Sequence, residues 1–289
     1  MIRAGGRPYR GDRAVLTTMH HKEQVIAPIV NDGLGLVVSL AKGVDTDRFG
    51  SFSRDIERTG SQLDAARAKI AEGFKNDPLA RVALASEGSF GPHPYIPFLA
   101  IGREIVMLTD RDTGLELIGH DASPATNYAH AIVSGKDAAV AFAQTVQFAD
   151  HGLIVIGSDG EKPAPDRLLI KNVTDLCVLK SAVGEAIDLC GSAYIETDMR
   201  AHRNPTRMAA IARATQDLVR RYLSRCPACA WPGFDVTKRV AGLPCAWCGR
   251  PTRQIQTEML TCARCTHRVE RAATNEATAD PGVCDTCNP

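Results

Sequence analysis

The chain has 289 residues, enough for one sizeable α/β domain and a small appendage. A composition of 44 % hydrophobic and 23 % charged residues is that of an ordinary globular protein, and a formal charge of +1 excludes a chain-wide attraction to nucleic acid. Aromatic residues make up only 5 %, too few for a single-strand stacking platform, and no apolar stretch approaches the ~20 residues of a membrane span.

Residues 1–13 carry four arginines among glycines and a proline, a mixture that cannot bury itself and is expected to be flexible. Val15 and Leu16 open a strand, and Val25, Ile26, Ile29 and Val30 fall at helical spacing before Gly33 and Gly35. A second strand is read at 36–40 and a helix over 59–74. Val82 to Ala85 form a buried strand whose end delivers Ser86, Glu87 and Gly88. Strands at 104–108 and 115–118 flank Asp110 to Gly114, which has hairpin chemistry. Helices near 136–149 and 173–189 alternate with strands at 153–156, 168–170 and 193–195. Asn204-Pro205 is a helix start, an N-cap residue followed by proline at the first helical position. The alternation predicts an α/β domain over residues 14–225, with helices flanking a sheet that the hairpin makes mixed.

The last quarter carries four Cys-x-x-Cys pairs: Cys226/Cys229, Cys245/Cys248, Cys262/Cys265 and Cys284/Cys287, separated by 15, 13 and 18 residues. One such knuckle places two sulfurs on an ion, and a second completes a tetrahedron about 2.3 Å from the metal. Residues 226–289 are therefore expected to form a small zinc-ribbon-like domain with two four-cysteine zinc sites. Sequential pairing of the knuckles is the simplest arrangement, and a nested one uses the same eight ligands. Disulfides would suit an exported chain, but Met1 to Thr18 lacks the apolar core of a signal peptide, so the cytoplasm is the expected address. Trp231 and Trp247 are read as packing residues for a tail too poor in apolar residues to build its own core.

Several clusters in the first domain have the chemistry of a site. His20, His21 and Lys22 sit at a strand-to-helix junction, where a helix N-terminus and a lysine attract phosphate. Glu87 ends a strand, and Pro92 and Pro94 hold His93 in a stiff segment. Asp198, Arg200, His202 and Arg203 follow another strand. There the arginines could fork onto phosphate oxygens, with His202 available for proton transfer. Asp45 and Asp47 are spaced to ligate a hard cation such as magnesium.

Taken together, Met19 to Glu23, Asp45 to Gly50, Ala85 to Pro94 and Asp198 to Met208 resemble an uncharacterised bacterial family that pairs an α/β region with a cysteine-rich end. A fainter resemblance is to the inosine-triphosphatase and Maf-type nucleotide pyrophosphatases. Thr17 and Lys22 match the outer positions of their Thr-x-Asn-x-x-Lys loop, with Met19 at the asparagine, and Asp64 to Lys69 matches part of their next helix. That resemblance implies that Lys22 holds phosphate while Asp64 and Glu87 carry magnesium.

Two functions compete. One is a metal-assisted hydrolase of a phosphorylated or nucleotide-like small molecule, which predicts that His21, Lys22, Glu87, His93, Asp198 and Arg200 converge in space. The other is a binding module whose basic zinc tail recognises nucleic acid or a protein, the nucleic-acid version being the less favoured.

Overall fold

The computed structural model describes residues 8–9, 11–46, 60–160 and 162–289, so Asp47 lies outside the described residues. Two compact units emerge, Met1–Val219 and Arg220–Pro289. The first unit holds β1 (Arg13–Thr17), α1 (Glu23–Leu34), β2 (Val37–Leu40), α2 (Gln62–Asn76), β3 (Val82–Pro92), β4 (Ala100–Asp110) and β5 (Leu115–Ser123). These are followed by β6 (His130–Val133), α3 (Lys136–Thr145), β7 (Leu153–Ser158), β8 (Leu169–Val173), α4 (Leu176–Cys190), β9 (Ser192–Thr197) and α5 (Pro205–Leu223), whose last turn belongs to the second unit.

The protein is α/β with a mixed sheet. Its five strands run in the order β2-β1-β3-β4-β5, with β1 parallel to both neighbours and β3, β4 and β5 antiparallel. The later strands form a separate antiparallel sheet in the order β6-β9-β7-β8. Alternation of strand and helix could not separate one sheet from two, because pairing partners are chosen by long-range contacts.

Local signals explain the helix ends. Ser61 and Asp64 form a reciprocal capping box that starts α2. The Asp175 carboxylate accepts from the backbone N–H groups of Cys177 and Val178 at the start of α4, and Asn204 Oδ1 accepts from Arg207 N at the start of α5. One face of the five-stranded sheet packs Val15, Ala83, Ala85, Ile105 and Met107 against Ala66 and Ile70 of α2. On the other face α5 crosses β5 at Gly119. A Cβ there would sit 2.1 Å from the Ala214 carbonyl oxygen and 2.4 Å from Leu218 N. Because those atoms are backbone, Gly119→Ala has no side chain to push aside and must lift the helix, an overpacking cost of about 3 kcal/mol. A urea titration is expected to show the midpoint falling with little change in slope.

Tyr9 lies inside the segment expected to be flexible, yet it is fully buried, and its hydroxyl donates to Asp110 Oδ2 at 3.2 Å. Composition averages over such a segment and hides one anchoring aromatic. Among the described residues, no helix is long and apolar enough to cross a membrane.

The second unit holds β10 (Asp235–Ala241), β11 (Ile255–Thr261) and β12 (Arg268–Ala272), an antiparallel meander in the order β10-β11-β12. Its apolar cluster is small: Cys226, Phe234 and Cys262, with Trp231 and Leu260 packed against them. Every residue of β12 is exposed. Trp231 therefore packs as expected, with the Arg264 guanidinium 4.7 Å over its ring. Trp247 does not: it is 78 % exposed at the tip of its knuckle.

Candidate functional site

The eight knuckle cysteines form two groups, each able to hold a metal ion. Cys226 and Cys229 meet Cys262 and Cys265, and Cys245 and Cys248 meet Cys284 and Cys287. Sulfur separations are 3.7 Å for Cys226–Cys265, 3.6 Å for Cys229–Cys262, 3.8 Å for Cys245–Cys287 and 3.7 Å for Cys248–Cys284. A tetrahedron of radius about 2.3 Å has edges of about 3.8 Å, so the spacing is that of a tetrathiolate metal site. It is far from the about 2.05 Å of a disulfide.

The pairing is first with third and second with fourth, neither sequential nor nested. The meander explains it. Asp235 at the start of β10 lies opposite Thr261 at the end of β11, so the knuckles before β10 and after β11 share one end of the sheet. Ala241 lies opposite Ile255, and β12 runs back to Ala272 opposite Thr257, which returns the other two knuckles to the far end. Sequential pairing would have to span the seven residues of β10, roughly 23 Å.

Each knuckle closes with the same backbone bond, from residue 230, 249, 266 or 288 to the carbonyl of the first cysteine of its pair, at 2.8, 2.9, 3.2 and 2.9 Å. Ala230 and Thr266 accept left-handed backbone, φ 58° and 59°, to make that turn. Amides then point at sulfur: Trp247 N lies 3.4 Å from Cys245 Sγ and Arg264 N 3.4 Å from Cys262 Sγ. Although burial opposes it, donation from the Cys265 and Arg264 backbone brings the Cys262 thiol down to about 6. The Thr286 and Cys287 amides bring Cys284 down to about 6 as well. Although the Trp231 amide opposes it at Cys229, neighbouring sulfurs in the same two groups push Cys229 and Cys287 up to about 12. Four thiols at one point thus share their charge unevenly, and a cation is needed to hold all four as thiolates.

In the first unit, β1 is the point where the order of the parallel strands reverses, with β2 on one side and β3 on the other. Ligands gather outside the carboxyl ends of strands at such a point. Strand β3 pairs with β1 only as far as Ala85, so Ser86, Glu87 and Gly88 face the loop that leaves β1. Alternation sends Glu87 to the α2 face, where its carboxylate pairs with Lys69 Nζ at 2.5 Å. Gly88 lies opposite Glu104, whose carboxylate takes Arg207 Nε at 2.7 Å. A Cβ at Gly88 would fall 2.5 Å from that carboxylate, which is why this strand position has no side chain. Glu104 Oε2 is buried without a hydrogen-bond partner among the described residues.

Lys22 completes this cluster. It is 6 % exposed, and its Nζ donates to Ser86 Oγ at 3.2 Å, while no carboxylate among the described residues lies within ion-pair distance. Burial first, then Arg207 and Lys69, push its amine down to about 7, against smaller opposing effects of Glu104 and Glu87.

His20 and His21 have left-handed backbone, φ 66° and 61°, which brings their rings to His202 at centroid distances of 4.9 and 6.0 Å. Burial, then His20 and Arg200, lower His202 to about 4, so its ring is neutral at pH 7. His202 Nδ1 is buried without a hydrogen-bond partner among the described residues. His21 and His202 line a cavity of about 390 Å³ together with Gln24, Pro205 and Met208.

The remaining expected site residues divide. Asp198 is fully buried and clasped by Arg200, with Nε to Oδ1 at 3.0 Å and Nη2 to Oδ2 at 2.5 Å. The fork expected to grip phosphate is thus turned onto a carboxylate. His93 sits at the far end of β3, six residues or roughly 20 Å beyond Glu87, and packs against Tyr95 at 6.0 Å. Asp64 spends its carboxylate on Ser61 in the capping box. Neither it nor Asp45 belongs to a group of three metal-ligating side chains, the two tetracysteine groups being the ones found among the described residues. Sequence reasoning missed Glu104 and Arg207. Each reads as an ordinary surface charge in its own segment, and only the register of Gly88 on Glu104 betrays the pair.

A family model described as "Domain of unknown function (DUF6671)" matches residues 72–289. The chain belongs to this family. The matched region of the family member carries all eight knuckle cysteines, Glu87, Glu104 and Arg207, while the His20 to Lys22 loop precedes it. No curated protein matches the chain.

Proposed function

We propose that this is a zinc-binding protein whose α/β unit hydrolyses a phosphorylated or nucleotide-like small molecule at the carboxyl end of β1. The observation that carries the catalytic half is Lys22, a buried amine that meets a hydroxyl where an ammonium would demand an acid. A phosphoryl oxygen supplies the missing charge. Arg207 and Lys69 lie close by, but each is already neutralised by its own glutamate, so of these three Lys22 is the cation left for the ligand. In this reading neutral His202 accepts a hydrogen bond from the attacking water at the cavity wall; the water oxygen bonds phosphorus as the bond to the leaving oxygen breaks, and the water's proton passes to that departing oxygen. No step is routed through magnesium. The metal half follows from the sulfur tetrahedra: zinc fits four thiolates at about 2.3 Å without a redox role.

The charge count argues against nucleic acid as the target of the tail. Residues 220–289 hold ten Lys and Arg against six Asp and Glu, an excess of four. Two tetrathiolate zinc centres together bring a formal charge of about −4 and cancel it. Several of those arginines are also paired, Arg220 with Asp235 and both Arg239 and Arg271 with Glu258.

A thermal-shift screen of the zinc-loaded chain against phosphate, sugar phosphates and nucleotides tests the catalytic half. Stabilisation by a phosphorylated ligand at tens of micromolar is expected, accompanied by phosphate release. Silence across the panel at millimolar concentrations would refute it.

A further inference from the structure

We infer that the two tetracysteine sites bind their ions cooperatively, so that the C-terminal unit exists chiefly metal-free or with both ions and scarcely with one. The inference rests on zinc binding at these sites, and it comes from the interleaving of the knuckles. The loop that one site closes, from Cys229 to Cys262, contains the Cys245/Cys248 knuckle of the other. The loop that the second closes, from Cys248 to Cys284, contains the Cys262/Cys265 knuckle of the first. Strand β11 lies in both loops.

Whichever ion binds first must therefore order β11 and close a long loop, with little apolar burial to help. Once the first site holds β10 and β11 together at Asp235 and Thr261, the ladder sets Ala241 opposite Ile255. That register delivers the Cys245/Cys248 knuckle to its place. The closing segment is tied there by Ala279 N to Pro244 O at 2.7 Å and Ala246 N to Ala279 O at 3.0 Å. The second ion meets ligands whose ordering is already largely done, and it binds more tightly. Repulsion between the two anionic centres does not offset this. They sit at opposite ends of a sheet roughly 20 Å long, beyond the screening distance of physiological salt.

Native mass spectrometry of the reduced, metal-stripped full chain, titrated with zinc, reads the populations directly. At one equivalent, independent equal sites leave about half of the protein with a single ion, whereas coupling holds that species below about a tenth. A single-ion population near half would overturn the inference while leaving zinc binding intact, and no uptake at all would overturn both. If stripped protein fails to refold, the same distribution is read from the zinc-loaded chain under graded chelator. The double substitution Cys284→Ser, Cys287→Ser supplies the second arm. Affinity at the intact site, measured against a chromophoric chelator, is expected to fall at least tenfold, and an unchanged affinity would refute coupling.

Discussion

Stripping the metal is expected to unfold residues 220–289 while the first unit keeps its own melting transition. The second unit has three strands, one of them wholly exposed, and an apolar cluster of five side chains in which two are ligand cysteines. Such a cluster falls far short of offsetting the ordering of about seventy residues at roughly 1 kcal/mol or more each. Structural zinc contributes on the order of 10 kcal/mol per ion at neutral pH, so the ions are the fold of this unit. Amide signals of 235–241, 255–261 and 268–272 should collapse to random-coil positions when chelator is added and return with zinc. Persistence of the β11 ladder in the stripped protein would contradict this account. Acid should act like chelator, because ligand sulfurs must stay deprotonated and protons compete for them as the pH falls. The first unit buries cores of its own on both sheets and needs no such support.

Lys22→Met is expected to stabilise the first unit by about 3 kcal/mol at pH 7 and to abolish binding of the phosphorylated ligand. The amine titrates near 7 in the fold against an ordinary 10.5, with burial the largest cause and Arg207 and Lys69 next. The unfolded chain therefore binds more protons between pH 7 and 10.5, and wild-type stability rises with pH across that window. The advantage of the methionine variant should accordingly shrink as the pH is raised from 7 towards 10.5. Denaturant titrations of both proteins at several pH values measure it. A variant that is less stable than wild type at pH 7, or that keeps its ligand-induced thermal shift, would show that Lys22 is structural. The combination of higher stability and lost binding is the mark of a residue kept at a cost for function.

The knuckle cysteines were legible from sequence because the chemistry is local: two sulfurs three residues apart on one turn form half a site, whatever surrounds them. The helix start at Asn204 is local too, since a capping side chain bonds its own backbone; Ser61 and Asp175 carry the same signal, two residues inside the starts read at 59 and 173. The position of Lys22 between a strand and a helix was likewise legible, while its burial beside Ser86 was not. What sequence left open was every decision that depends on which strand lies beside which. The β10-β11-β12 meander joins the first knuckle to the third, and the register of β3 on β4 brings Gly88 to Glu104 and so to Arg207. The long reach of β3 likewise carries His93 away from Glu87. Pairings between residues dozens to a hundred positions apart are fixed by the packing of whole elements, which no short window of sequence contains.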